Sequence, residues 1–347
     1  MGEPGGGLSH PQNNFDFLRL FLATLVIFSH SYQLTGHSEG EPVGMFTNGL
    51  YSLGHLAVDG FFAISGYLIT QSWLTKPEFW LYLRKRVLRI CPGYWVAFFV
   101  CIFVIAPLGA DSLGDYFGAV QVKRMLLRAV FLQGPPTPPI FLHVPHPDHL
   151  NGSLWSIPYE FLCYLMVPAL AGLGLLGRRR WMLALFVACY IPALYTYTYQ
   201  TKATFETMSP VIAVQQAAFF LSGMLMYLWR DKIVIKNYVG AALVAVLVLS
   251  IRLGNPEIVT PWVVAPIMVW LAFAPWLNLR RAAKHGDFSY GIYLYAYPIQ
   301  QLIVSTGVRN VYGLFLLAVP VTVGAAFLSW RLIESPALRL KKPRGAA

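Results

Sequence analysis

Charge is scarce in this chain, and acidic charge scarcest of all. Of its 347 residues 12% are Asp, Glu, Lys or Arg, and the acidic ones number 15 against 26 basic. A soluble domain carries about 25%, so an ordinary soluble globule is excluded, and so is a charge-rich disordered chain. Cysteine is equally sparse. The four, Cys91, Cys101, Cys163 and Cys189, lie in or beside apolar segments and form no CxxC pair, which argues against a disulfide framework or a zinc cluster. No internal repeat, low-complexity tract or soluble domain interrupts the sequence. The N-terminal "MGEPGGGLSHPQNN" lacks the basic stretch that opens a signal peptide, so the first apolar helix is expected to be kept.

What the chain has in abundance is apolar surface: 56% of residues are hydrophobic and the mean hydropathy is +0.55. A membrane span needs about 20 mostly apolar residues. Ten segments qualify: 15–34, 50–74, 92–110, 153–176, 181–199, 209–229, 233–251, 258–277, 286–307 and 311–333. Pro168, Pro192 and Pro266 fall inside them, and membrane helices tolerate such kinks. Trp and Tyr gather near the segment ends, as at a bilayer interface. The expected fold is an all-α polytopic membrane protein. A flexible N-terminus covers 1–14, a membrane domain 15–338 and a basic tail 339–347.

The basic residues alternate with the loops. Five lie in "KPEFWLYLRKRVLR", three each in "GRRR", "RDKIVIK" and "NLRRAAKH", and four in "RLKKPR", which makes 18 of 26. The opposite loops hold six: Lys123, Arg124, Arg128, Lys202, Arg252 and Arg309. The positive-inside rule then places both termini in the cytoplasm. The net charge of +11 reads as this topology signal, and no nucleic-acid partner is expected. The one long outer connection is 111–152. Within it "QVKRMLLRAVFL" sets its apolar side chains on one helical face, suited to lying along the interface.

Several polar residues sit where lipid tolerates them poorly. A charge at mid-bilayer costs roughly 2.5–3.5 kcal/mol on insertion scales. "FLRLFLATLVIFSHS" carries Arg19 and His30, eleven positions apart. Eleven steps of 100° return to the same helical face, about 16 Å along the axis. In the second span His55 and Asp59 share a face. In the fourth, Ser153, Ser156, Glu160 and Tyr164 form a stripe within about 80° of one another. His30, Asp59 and Glu160 are expected at similar outer depth. On the cytosolic side "RKRVLR" offers Arg86 and Arg89 as a fork suited to phosphates.

Each of these has a plainer reading beside the functional one. His30 alone fits a satisfied buried polar group, Asp59 fits a counter-charge to a buried base, and Arg86 and Arg89 fit ordinary positive-inside residues. Glu160 within its stripe is harder to read so, because intramembrane carboxylates are functional by default. "HVPHPDHLNG" clusters His143, His146, Asp148 and His149. Its two prolines break any helix that would align ligands, so no metal is expected there; a loop capping a substrate cleft is the preferred reading.

In order along the chain, these segments resemble the integral-membrane acyltransferase family three, which O-acylates bacterial surface polysaccharides, peptidoglycan and lipo-oligosaccharides. Arg19 and His30 match its Arg–ten residues–His motif, "VDGFFAISGYLI" its second-span signature, and Arg86 and Arg89 in "RKRVLRICPGYW" its Arg-x-x-Arg motif. "NGSLWSIPYEF" matches the segment bearing its Glu, here Glu160, and "FSYGIYLYAYPIQQ" and "LSWRLIESPAL" its last two spans. Many members carry His at the position of Ala296, so no catalytic duty is assigned to that span. The chain ends soon after the tenth span, and a fused esterase-like domain found in some relatives is not expected.

The resemblance implies a bacterial inner-membrane O-acyltransferase. It would move an acyl group, expected to be acetyl, from cytosolic acetyl-CoA to a hydroxyl of an extracytoplasmic or lipid-linked glycan. Arg86 and Arg89 would hold the donor phosphates, and the pantetheine arm is about as long as the Arg19–His30 spacing. His30 would be the general base, with a covalent acyl-His intermediate as a variant. Asp59 or Glu160 would orient it, and Arg19 would hold the arm or polarise the carbonyl. The contrasting class is a transporter or flippase using the same charges as a relay, but the repeats and broken helix pairs of many transporters are missing.

Overall fold

A computed structural model of the chain describes residues 13–136, 138–198, 208–279, 284 and 286–340. All but two residues of the expected 1–14 segment, and all but the first two of the tail, lie outside the described residues. Among those described there are helices and loops and no strand.

Each of the ten apolar segments carries a helix: α1 (Phe15–Leu34), α2 (Leu53–Thr75) and α3 (Phe79–Leu108), then, beyond two short helices α4 (Leu113–Ala119) and α5 (Val122–Val130) in the long connection, α6 (Leu154–Gly172), α7 (Arg179–Thr198), α8 (Pro210–Leu228), α9 (Asn237–Arg252), α10 (Thr260–Phe273) and α11 (Ser289–Ser305), and α12 (Val311–Arg339). Six of them, α1, α2, α3, α6, α8 and α12, are long and apolar enough to cross a membrane. The helices α9, α10 and α11 are shorter, at 16, 14 and 17 residues. The chain is thus a multi-pass membrane protein.

The third helix departs from expectation. The span is expected over 92–110, yet the helix begins at Phe79 and carries Pro92 in its interior. Neighbouring helices let a membrane helix absorb a proline. Arg86 and Arg89 therefore stand on a helix continuous with the span, not in a loop.

The bundle is fixed by close backbone contact and by polar ties at helix ends. The α2–α8 crossing is the tightest. A Cβ on Gly66 would lie 2.0 Å from the Phe220 carbonyl oxygen, and one on Gly223 would lie 2.0 Å from that of Ala63. The two glycines are reciprocal, each meeting the turn that precedes the other. Small residues at a helix crossing let dispersion contacts form where lipid supplies no hydrophobic drive. The start of α1 is pinned to the end of α10, since the Asn14 amide donates to the Leu271 and Ala272 carbonyls, both at 3.3 Å. Ser52 caps α2 by accepting from the His55 N–H at 3.2 Å.

Helix α5 turns Met125 and Ala129 inward and leaves Val122, Leu126, Leu127 and Val130 at least half exposed. The long connection folds back over one end of the bundle, burying Ile140, Phe141, Val144 and Leu150 against α3, α11 and α12.

Candidate active site

Two adjoining cavities run through the bundle. The larger, of about 750 Å³, opens at the loop-rich end and is lined by His30, His55, His146, Ser153, Trp155 and Tyr297, among others. The smaller, of about 70 Å³, is lined by Arg19, Phe61, Ser65, Arg89, Glu160, Tyr164 and Tyr290, among others. Val58 and Tyr293 line both. The Tyr293 ring meets Phe61 edge-on at 5.9 Å, and its hydroxyl is 2.6 Å from Ser156 Oγ.

The helical faces read from sequence explain this continuity. On α1, Arg19 lines the small cavity and His30 the large one. Ser153, just before α6, lines the large cavity, while Ser156, Glu160 and Tyr164 on α6 line the small one. The polar stripe of α6 and the Arg–His face of α1 thus flank one path, completed by α2 and α11.

His30 stands in the large cavity with the Tyr297 ring edge-on at 5.0 Å between centroids. Its Nδ1 is buried with no hydrogen-bond partner. No carboxylate orients it. Asp59 is held by the Tyr51 hydroxyl, whose ring stacks beside His55 at 5.9 Å. Glu160 accepts from Ser65 Oγ at 3.2 Å and from the Tyr164 hydroxyl. The structure therefore does not join His30, Asp59 and Glu160 as a triad. Glu160 faces the small cavity, one stripe position too deep. Nor is Asp59 a counter-charge, since no ion pair reaches it among the described residues.

Arg86 and Arg89 diverge instead of forming one fork. Arg89 pairs with Asp287, and Arg19 reaches the same carboxylate at 3.8 Å. Ser289 Oγ also donates to Asp287, at 2.5 Å. Arg86 donates to Ser72 Oγ at 3.2 Å and lies 5.6 and 5.8 Å from the Tyr82 and Tyr164 ring centroids. The sequence reading missed Asp287, although a lone acid within a basic connection was a signal. It also missed Glu41. That carboxylate is buried and accepts from Ser29 Oγ and from the backbone N–H groups of Val43, Gly44 and Leu53, at 2.7–2.9 Å. It ties α1 to the start of α2 at the cavity wall, and nothing in its sequence context marks it.

The histidine loop caps the large cavity. The Gln33 amide donates to His146 Nε2 at 3.3 Å, and the His146 and His149 rings lie 4.2 Å apart. The Gln301 amide holds both their carbonyls, at 2.9 and 2.8 Å. Burial, and secondarily the neighbouring His149, pull the His146 imidazole down to about 4. His143 turns away toward Asp111, at 3.6 Å. Among the described residues no group of three or more His, Cys, Asp or Glu is arranged to hold a metal. Ala296 is buried in a cluster with Ala23 and Ile27, away from the cavity that its neighbour Tyr297 lines.

A family model described as an acyltransferase domain matches residues 12–333. The chain belongs to this acyltransferase family. It is 28% identical over 339 residues to an O-acetyl transferase of Shigella phage Sf6, covering 96% of this chain and 98% of the relative. It is 27% identical to nodulation protein 10 of Rhizobium leguminosarum bv. viciae, covering 98% and 97%. It is 24% identical to a peptidoglycan O-acetyltransferase of Listeria monocytogenes, covering 82% of this chain and 51% of that protein. No solved structure matches the chain. The family makes the protein a membrane acyltransferase, which requires an acyl donor and a hydroxyl acceptor.

Proposed function

We propose that this acyltransferase carries an acetyl group from cytosolic acetyl-CoA to a hydroxyl of an extracytoplasmic or lipid-linked glycan. It does so across a bacterial inner membrane, with ten spans and both termini inside. The observation that carries the reading is the junction of the two cavities at Val58 and Tyr293. The two share those wall residues, which supports a donor lying from the Arg19–Arg89 cavity toward the His30 cavity.

In this reading the donor's anionic groups meet Arg19 and Arg89, with Arg86 beside them. The arm passes Ser65, Glu160 and Tyr164, and the thioester emerges beside His30. The acceptor enters the large cavity, where Trp155 and the tyrosines suit a sugar face. His30 takes the hydroxyl proton as the acceptor oxygen attacks the thioester carbon. When the carbon–sulfur bond breaks, the imidazolium returns that proton to the departing sulfur. Arg19, eleven residues before His30, acts on the donor's anionic groups and not on the carbonyl. Asp59 acts from behind, through Tyr51. The transporter reading is set aside because the family is one of acyltransferases.

The test is transfer of labelled acetyl from acetyl-CoA to a panel of glycans in membranes. His30→Ala should abolish transfer while leaving insertion intact, and near-normal turnover would refute the mechanism. Sidedness is checked in a background without the native Cys. Ser38→Cys should label with an impermeant thiol reagent from outside, and Lys85→Cys only after permeabilisation.

A further inference from the structure

Two hydroxyls at the large cavity have no partner in the structure. Tyr297 is 1% exposed and its hydroxyl oxygen makes no hydrogen bond, and Ser153 is 1% exposed with Oγ equally unpartnered. Buried polar side-chain atoms are overwhelmingly hydrogen-bonded, so each exception asks for a reason. Both line the cavity that holds His30, and Tyr297 is the ring packed edge-on against the His30 imidazole.

The segment that carries Ser153 is fixed against the helix that carries Tyr297. Asn151 donates through Nδ2 to the Leu294 carbonyl at 2.8 Å and accepts from the Ser153 N–H at 3.1 Å. This docks the tripeptide Asn151–Gly152–Ser153 on α11, one turn from Tyr297. Gly152 admits the ring, since a Cβ there would lie 2.6 Å from Tyr297 Cε2. Asn151 and Gly152 thus seat the Ser153 segment against the Tyr297 ring, which itself packs on the His30 imidazole.

We propose that Tyr297 and Ser153 are catalytic residues that donate hydrogen bonds to the oxyanion formed when the acceptor oxygen adds to the acyl carbonyl. The proposal rests on acyl transfer at His30. As the acceptor oxygen bonds to the carbonyl carbon, the carbonyl π pair moves onto its oxygen. The two hydroxyls meet that charge, and His30 holds the acceptor's proton. The carbonyl then re-forms, the carbon–sulfur bond breaks, and the proton passes from His30 to sulfur. Donors fixed before the charge develops need no reorganisation when it does, and removing one such donor costs about 10²–10³ in kcat.

The experiment compares Tyr297→Phe, Ser153→Ala and His30→Ala with the native enzyme, using labelled acetyl-CoA and whichever glycan accepts. Tyr297→Phe should lower kcat about a hundredfold or more, with the KM for acetyl-CoA within about twofold, because the interaction exists only in the transition state. Thermal unfolding in detergent should match the native protein, since the lost hydroxyl bonds nothing in the resting state. Ser153→Ala deletes one oxygen from a loop and serves even if Tyr297→Phe does not fold; it should show the same split. If His30→Ala is inactive while both hydroxyl variants turn over within threefold of native, the oxyanion proposal is overturned and the base assignment stands. A rise in KM with kcat unchanged would also overturn it, by making the hydroxyls binding groups. If His30→Ala is itself active, the proposed function fails first.

Discussion

Asp287→Asn separates charge from shape at the inner end of the path. The carboxylate stands between two guanidiniums, Arg89 in direct contact and Arg19 at 3.8 Å. The amide keeps an oxygen for the Ser289 hydroxyl and removes only the charge. At an effective dielectric of about 20, unit charges 3.8 Å apart attract by about 4 kcal/mol. Removing one partner of a buried pair costs about 3–5 kcal/mol, because the other charge is left uncompensated. The Arg19 and Asp287 side chains retain 22% and 15% exposure, so the lower end, about 3 kcal/mol, is expected. At about 1.4 kcal/mol per tenfold that is more than a hundredfold in the folding equilibrium. The assay is unfolding of the purified protein in detergent, with and without acetyl-CoA. If the donor's phosphates meet these guanidiniums, they replace the missing charge, and the donor should stabilise the variant more than the native protein. At a donor concentration a hundred times the native Kd the native protein gains about 2.7 kcal/mol; a larger gain in the variant at that same concentration is the signal. Native-like stability of Asp287→Asn without donor would refute the ion-bridge argument. A deficit that donor leaves unchanged would remove Arg19 and Arg89 from the donor site.

Arg89→Ala should raise the KM for acetyl-CoA more than Arg86→Ala, because Arg89 lines the small cavity while Ser72 and two tyrosine rings engage Arg86; equal effects in steady-state kinetics would restore the fork. Gly223→Ala should destabilise the bundle by about 3 kcal/mol or more, at or beyond the upper end for overpacking, since its Cβ meets backbone 2.0 Å away; an unfolding midpoint equal to native would show that α2 and α8 can part freely. The His146 imidazole, about 4 in the fold against about 6.5 in an unfolded chain, binds fewer protons folded than unfolded between those values. Stability of the cap is therefore full above about pH 6.5 and lost as pH falls toward 4. Hydrogen exchange of residues 138–150 should quicken at pH 5 relative to pH 7, beyond the intrinsic pH dependence, and His146→Gln should flatten that difference; an unchanged profile would exclude His146 as its source.

Helical periodicity carried most of the path. The 1100° between Arg19 and His30 put both on one face of α1, and the offsets of Ser153, Ser156, Glu160 and Tyr164 put all four on one helical face. Those faces line the two cavities in that order. Periodicity tells which residues share a face and is silent on what faces them. That Asp59 bonds Tyr51 and Glu160 bonds Ser65 and Tyr164, and neither bonds His30, lay beyond it: depth was estimated helix by helix, without the contacts that set one helix against another. The same silence hid Asp287, which joins Arg19 and Arg89 from a connection more than 190 residues beyond either. Glu41 was hidden differently, because its partners are mostly backbone N–H groups in a loop whose course no pattern encodes. Arg86 and Arg89 read as a cytosolic fork beside a span drawn from 92, whereas the helix begins at Phe79 and carries both.

The chemistry along the path is graded, and the grading fits the work proposed for each end. The inner end sets two guanidiniums around one carboxylate, so a resident anion keeps the cations compensated until a polyanionic donor arrives. A bare pair of buried guanidiniums would be costly, and a fully neutralised site would attract no phosphate. The other end holds an imidazole and hydroxyls, with Glu41, Asp148, Arg124 and Arg128 also on the cavity wall, and its carboxylates are engaged elsewhere: Asp59 by Tyr51, Glu41 by Ser29 and three backbone N–H groups, and Asp148 by the Ile140 N–H. A base that must accept a proton and then release it gains from such surroundings, since a carboxylate bound to it would hold the imidazolium too well for easy return. Between the ends stand Val58, Phe61 and Tyr293, apolar apart from one hydroxyl already given to Ser156. That waist separates a region built to hold charge from one built to move a proton, and α1 reaches both by carrying Arg19 and His30 on a single face.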